Sequence, residues 1–343
     1  MSTLETNSIG KYSGNNVSID DALNLKSYTT VERDALTSVA GDMIYNSDDS
    51  TPQFYNGTAW EDFATPTFSI DFLIIGGGGG TERYSGGGGA GGYRNSYNNE
   101  TSGGGNSSET ALTVSKDGTT TYLVTVGAGG PGGFARAKSG NSSIFSVIQS
   151  IGGGFGGRGY GGDGGSGGGG GFASSSQLGG SGTTNQGFAG GNNYTDNNTG
   201  GGGGGASEVG TNAVSSGYGH GGDGLSSSIT GSAVTRGGGG GGGAGLTPDV
   251  GGTGGAGGGG NGGSRSAGVG GVAGTVNTGG GAGGGADMYD GNSGGSGVVI
   301  LRWATADATI SPTRTGLTDG GVQTDGSDSY IVFTAGTGTI SFS

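Results

Sequence analysis

Residues 71–94 read DFLIIGGGGGTERYSGGGGAGGYR. The stretch starts as a buried β-strand and runs straight into glycine. The whole chain carries 97 glycines in 343 residues. Either this is a very long flexible linker, or glycine itself builds the structure. Collagen is excluded, because it needs Gly at every third position and abundant proline. Here Gly usually takes two positions of three, and there are 5 prolines.

A Gly-Gly-x pattern recurs locally. In VGGTGGAGGGG the x positions are Val250, Thr253, Ala256 and Gly259. In YGGDGGSGG they are Tyr160, Asp163 and Ser166, and in SGGSG they are Ser293 and Ser296. A period of three matches the polyproline II helix, which has three residues per turn and no internal hydrogen bonds. With Gly on two of its three edges, such a helix can pack backbone against backbone. Its N–H and C=O groups then bond to neighbouring helices, and Cα–H···O contacts add about 0.5–1 kcal/mol each. Ordering Gly costs roughly 0.5–1 kcal/mol more than ordering Ala. Over the whole body that is on the order of tens of kcal/mol, which only a dense lattice of inter-helix bonds offsets. The body is therefore a packed bundle or a disordered chain, and a valine at Gly254 or Gly255 should damage the bundle.

Composition helps to choose. Leu, Ile, Val and Phe together make 55 of the 343 residues, a low share that with high net charge reads as disorder. The net charge is only -13, however, and Pro, Lys and Glu are scarce, unlike disordered chains. Real strands also punctuate the glycine: FSIDFLIIG, TALTVSKDGTTTYLVTVG, SSIFSVIQSIG and SGVVILRW. Each is rich in Ile, Val and Phe, and a flexible linker would lack them. The expected fold is all-β with a glycine-rich body: a bundle of polyglycine II helices flanked by β-strands, with a small N-terminal β-meander.

Three segments follow from the composition. Residues 1–66 form an N-terminal stem or attachment module. In TTVERDAL, Thr29 and Glu32 have capping-box spacing, and Thr30 is an equally good N-cap. Residues 41–63 read as strand, polar turn, strand, Asn56-Gly57 turn and strand, the Asn-Gly pair favouring a type I′ hairpin. Residues 67–302 are the glycine-rich domain, with Lys116-Asp117-Gly118 as the turn of a hairpin and a sheet clamping the start and finish. Residues 303–343 end in SYIVFTAGTGTISFS, read as a strand, a Gly-Thr-Gly turn and a short strand.

The chemistry-bearing motifs fall away one by one. Gly127, Gly129 and Gly132 match G-x-G-x-x-G after a strand, but Pro131 and FARAKSGNSS follow where a dinucleotide site needs a helix. GGSGG (164–168) and GNSGG (291–295) match G-x-S-x-G, but a nucleophile elbow needs strand, turn, helix and a histidine. His220 is the single histidine. There is no P-loop, no EF-hand loop and no glycine-rich calcium repeat. With no cysteine, thiol catalysis, disulfides and zinc ribbons are out. No acid, base and nucleophile set emerges, and nothing implies a cofactor or a metal. A pI near 4.2 argues against nucleic acid as partner. No run is long and apolar enough to span a membrane, and MSTLETNSIGKYSGNN does not read as a signal peptide. Sequons occur at Asn16, Asn56, Asn99, Asn106, Asn141, Asn193 and Asn197, several of them by chance in a chain so rich in Asn, Ser and Thr.

The irregular inserts between glycine blocks carry the candidate binding residues: YRNSYNNETS, FARAKS, FASSSQL, FAGGNNYTDNN, SEVGTNAVSSGYGH, LTPDV and ADMYD. Rigid aromatics beside adaptable polar groups on loops resemble a paratope. The candidates are Tyr93, Tyr97, Phe134, Arg136, Phe172, Phe188, Tyr194, Tyr218, His220 and Tyr289. The bland reading is that they are turns whose aromatics cover the bundle ends.

The segments DFLIIGGGGG, GGGGAGGYR, YLVTVGAGG, GGGGGGA, ITGSAVTRGGGGGGG and DGNSGGSGVVILRW resemble, in that order, the glycine-rich domain of tail-fibre-like proteins of aquatic bacteriophages, including cyanophages. The likeness covers about residues 67–303. The N-terminal segment looks like the stem modules of phage fibres. Related tip adhesins fold as a sandwich of polyglycine II helices whose variable loops contact the host. The resemblance implies a virion fibre or tip protein, made in the host cytoplasm and released by lysis. It would bind a bacterial surface polysaccharide or outer-membrane protein and join other tail or fibre proteins. The stem modules imply a homotrimer and the tip adhesins a monomer. The competing readings are a structural filament subunit, with the last strand pairing to the next copy, and ice binding by a polyglycine slab, against which the charged and aromatic inserts argue.

Overall fold

The computed structural model describes residues 24–63, 66–134, 137–172, 175–194, 199–215, 218–245 and 250–343. Arg136, most of the LTPDV insert and the sequons at Asn16 and Asn197 lie outside them. The chain divides into two compact units, residues 1–65 and 66–343. The C-terminal segment 303–343, distinct in composition, thus shares one unit with the glycine-rich body.

The first unit holds β1 (Ser27–Tyr28), α1 (Thr30–Asp34), β2 (Met43–Asn46), β3 (Thr51–Tyr55) and β4 (Trp60–Asp62), in the sheet order β1-β2-β3-β4. The capping box forms as expected: Glu32 N–H donates to Thr29 Oγ1 (3.3 Å) and Thr29 N–H donates to Glu32 Oε2 (2.8 Å). The Asn-Gly turn differs from expectation. Tyr55 pairs with Trp60, leaving a four-residue loop, and only Gly57 has positive φ (+103°). Asn56 stays out of the left-handed region because its Oδ1 accepts from the N–H groups of Thr58 and Ala59, an Asx turn that replaces type I′ geometry. Beneath the helix the buried residues are Ile44, Asn46 and Gln53. Asn46 Nδ2 and Arg33 Nη1 both donate to Gln53 Oε1.

The second unit is a ten-stranded sheet carrying a glycine lattice. Its strands are β5 (Thr67–Ile75), β6 (Tyr93–Asn95), β7 (Leu112–Ser115), β8 (Tyr122–Thr125), β9 (Ser143–Phe145), β10 (Ile148–Ser150), β13 (Val298–Ala304), β14 (Leu317–Asp319), β15 (Gln323–Asp325) and β16 (Asp328–Ile340); a separate hairpin joins β11 (Leu225–Ser227) to β12 (Val234–Arg236). The clamp is real. β5 and β13, on either side of residues 76–297, pair antiparallel with Ile75 opposite Val298 and Leu73 opposite Ile300. Alternation splits their side chains between two cores. Phe72, Ile74, Leu301 and Trp303 face one, where Phe333 of β16 joins them; Leu73, Ile75, Val298 and Ile300 face the other, with Tyr93 of β6 and Ile229.

Two strand readings change. Asp117 caps the turn by accepting from Thr119 and Thr120 N–H, yet β7 pairs with β5 while β8 pairs with β16 and β9. The turn therefore sends its strands to different partners instead of closing a hairpin. The C-terminal strand is continuous over 13 residues, in place of the expected Gly-Thr-Gly turn. Gly336 (φ +99°) supplies a bend, not a reversal. Before it the strand pairs with β13; after it, with β8. β14 and β15 also pair with it, so it is an interior strand and offers no free edge for a next subunit.

Between β5 and β13 the chain runs out and back as straight rods. Residues 86–92 show how they interlock. Gly86, Gly89 and Gly92 donate N–H bonds to the carbonyls of Gly157, Gly154 and Ile151; Gly87 and Ala90 donate to Gly201 and Gly204; Gly88 and Gly91 donate to Ala282 and Gly279. Each neighbour is revisited every third residue, the signature of threefold helices. The carbonyls return the pattern. Those of Gly87 and Ala90 accept from Gly169 and Ser166, those of Gly88 and Ser85 from Gly240 and Gly243, and those of Gly89 and Gly92 from Gly79 and Gly76. Three rods receive donors and three others supply them, so this rod has six neighbours in hexagonal packing, some parallel and some antiparallel. The fold is all-β with a polyglycine II body.

Glycine is required by contact distance. A Cβ at Gly87 would lie 1.9 Å from Gly240 O, and one at Gly255 would lie 2.0 Å from Gly222 O. Innermost rods carry only small buried side chains: the methyls of Ala90, Ala206, Ala244, Ala282 and Ala286, and the hydroxyls of Thr81 and Ser85. Outer rods show the Gly-Gly-x code: Val250, Thr253 and Ala256 are exposed while Gly252 and Gly255 are buried. Ser166 is the exception, an x position that is buried and donates to Gly205 O (3.1 Å).

Candidate functional site

The rods define two ends. At the sheet end they continue into strands, as at Ile75–Gly76, Gly92–Tyr93 and Gly297–Val298. At the far end the chain reverses, because each outgoing rod must return. Hydrogen-bond register places Tyr84 level with Phe172 and Gly285 level with Glu82. Bridges link Thr199 to Ala244 and Ala244 to Ser264. The far-end loops thus form one surface.

A charged and aromatic network knits part of that surface together. The Tyr84 ring meets Phe172 edge-on at 5.7 Å, and the Arg158 guanidinium lies 5.1 Å over Tyr84. The Tyr84 hydroxyl donates to Asp287, which also pairs with Arg265 at 2.7 Å. That hydroxyl bond to Asp287, more than burial, holds the Tyr84 phenol above its ordinary pKa. Arg83 lies 4.8 Å over the Phe134 ring and 3.5 Å from Asp290. Glu82 accepts from the N–H groups of Ala137 and Arg158.

The sequence candidates divide between the two ends. Phe134, Phe172, Tyr194, Tyr218 and Tyr289 sit on far-end loops. His220 lies one step below on the flank, where its Nδ1 accepts from Thr253 N–H (3.1 Å) and its ring meets Tyr218 at 6.2 Å. Tyr93, Tyr97 and Phe188 lie at the sheet end. Tyr93 is not a surface residue: it is fully buried in the second core, and that burial pushes its phenol pKa up. It follows a rod directly into β6, so alternation turns it inward. Phe172 is also buried, 7% exposed, and supports Tyr84 from below. Tyr97 packs under Arg302 (5.0 Å). Phe134 is 62% exposed.

Arg83, Tyr84, Arg158 and Arg265 are absent from the sequence candidates, yet they organise the surface. A signal for them exists: TERYS is a charged, aromatic island in the first glycine run, and a rod that leaves a sheet must first turn at the opposite end. Tyr160 and Met288, each 68% exposed, are further apolar tips on these loops. Among the described residues no group of three or more His, Asp or Glu could hold a metal, and no helix is long and apolar enough to cross a membrane. The surface offers rings, guanidinium groups, amides and carboxylates on short loops above the lattice. No curated protein and no solved structure matches the chain. The model of the glycine-rich domain family matches residues 56–304, from the last turn of the first unit through the end of the second clamp strand, and the chain belongs to that family.

Proposed function

We propose that this protein is a receptor-binding component of a bacteriophage tail fibre, acting without chemistry. One observation carries the reading: far-end loops bearing Phe134, Tyr160, Tyr218, Arg83 and Arg158 share one surface, held by a lattice that cannot flex without breaking backbone bonds. Preorganised loops lose little entropy on binding, and rigid aromatics dominate such interfaces. The partner is a polysaccharide or outer-membrane protein of an aquatic bacterium, and the location is the virion, after lysis of the host. The first unit is the attachment module, joining another fibre protein or further copies of this chain.

The test is binding of the labelled full chain to a panel of aquatic bacteria, cyanobacteria included. The triple variant F134A/Y160A/Y218A should bind at least tenfold more weakly to any strain that holds the parent, at an unchanged melting temperature. Equal binding by the variant, or open-ended filaments of the parent in electron micrographs with no cell binding, would overturn the reading.

A further inference from the structure

At the sheet end, away from the far-end loops, two reverse turns face each other. In one, Asn106 N–H donates to Gly103 O (3.4 Å); in the other, Gln186 and Gly187 N–H donate to Thr183 O (3.0 and 3.2 Å). Between them lies a cavity of about 260 Å³ lined by Arg94, Asn106, Glu109, Thr184, Asn185 and Gln186.

Its floor is fixed. Arg94 Nε donates to both carboxylate oxygens of Glu109 (3.0 and 3.1 Å), and Arg94 Nη1 donates to Gln149 O (3.3 Å). Glu109 also accepts from Ser102 Oγ (3.0 Å). Gln186 Oε1 accepts from Ile151 N–H (2.8 Å) while its Nε2 reaches Gln149 O (3.4 Å). The rim is different: among the described residues the side chains of Asn106, Thr184 and Asn185 make no hydrogen bond to protein, although Asn185 is held at φ +62°. Phe188 stands beside the cavity, where a Cβ on Gly105 would lie 3.7 Å from its Cζ.

We propose that this cavity binds one neutral saccharide unit, a hexose or N-acetylhexosamine. Every lining side chain is polar, and most present planar groups that both donate and accept or pair one with the other. A sugar hydroxyl does the same. Arg94 is neutralised by Glu109, so no net charge remains to select an anion. An apolar peptide or lipid would leave these groups unpaired, at a cost for each one desolvated. The volume falls just below that of sites for drug-sized ligands, enough for one sugar ring. The inference rests on residues separate from the far-end loops and extends beyond the proposed function.

Saturation-transfer NMR of the full chain with glucose, galactose, mannose and N-acetylglucosamine, each at millimolar concentration, tests it. Transfer to at least one sugar is expected. Asn106→Ala combined with Asn185→Gly, which suits the left-handed backbone, should weaken binding at least tenfold without changing the melting temperature. F134A/Y160A/Y218A should leave it unchanged. Should the double variant melt early, Thr184→Val alone is read in its place, on an exposed side chain that supports nothing. No transfer from any of the four sugars, or transfer insensitive to the cavity variants, overturns the proposal. Cell binding is read separately, so either idea can fail alone.

Discussion

The sheet and the glycine lattice are parts of one unit held by opposite means. In the sheet, order comes from side chains: Phe72, Phe333, Leu301 and Trp303 fill a core in which Trp303 Nε1 donates to Ala308 O (2.9 Å). In the lattice, order comes from the absence of side chains. Gly76–Gly80 have none, and their N–H groups reach Gly92, Asn141, Gly295, Gly89 and Lys138 in turn. Hydrophobic burial, the main driving force in most folds, is replaced by backbone bonds that leave few buried polar groups unmade. The two regions should therefore fail in opposite directions: the sheet on losing volume, the lattice on gaining it.

The largest effect should come from Gly255→Val, which places a Cβ 2.0 Å from Gly222 O. The clashing atom is backbone pinned by further rods, so no side chain can swing aside. Loss of the cooperative melt is expected, and a variant that melts like the parent would refute the lattice account. Next, Phe333→Ala, at a fully buried site, should cost about 3–5 kcal/mol in a denaturant titration; a cost below about 1 kcal/mol would mean the sheet does not depend on its core. Smaller is the Arg314–Asp319 pair, two hydrogen bonds of 2.9 and 3.1 Å. Hydrogen bonding from Arg314 holds the Asp319 carboxyl below its usual range. A carboxyl depressed in the folded state adds stability above the unfolded pKa of about 3.9, and that stability is lost as pH falls through the folded value. Asp319→Asn should cost about 1–2 kcal/mol at neutral pH, and the gap to the parent should close below about pH 4; a gap independent of pH would place the cost elsewhere. Smallest is Gly133→Ala at a rod end, where a Cβ meets nothing within 4 Å. A change within about 0.5 kcal/mol beside the collapse at Gly255 would show that packing, not composition, makes glycine obligatory.

Much of this is legible in the chain. The Gly-Gly-x period announces threefold rods because two of three edges are bare. DFLIIG and SGVVILRW announce the clamp because β-branched runs flank the glycine on both sides. Thr29 and Glu32 announce the helix start because a capping box is local chemistry. The failures share a cause. Lys116-Asp117-Gly118 does form a turn, but a turn does not choose the partners of its strands. Gly336 reads as a reversal, but whether a glycine reverses or bends a strand depends on what lies alongside, here β13, then β8. Tyr93 reads as a loop aromatic; it is a strand residue whose inward face is set by pairing with Ile75.

The candidate surface is half legible. Aromatic and polar inserts are visible as interruptions in glycine, but their ends are not. Phe134 and Phe188 each open or follow a glycine block in similar words, yet they lie at opposite ends of the rods. By itself, the sequence determined the element types: strands where β-branched residues cluster, threefold rods where glycine fills two positions of three, turns where Asn and Asp cap. Only the tertiary structure decided which rods neighbour which, and therefore which loops share a surface. A polyglycine edge carries no side chain to distinguish one partner from another, so neighbour choice waits on the whole lattice and on the strands that anchor it.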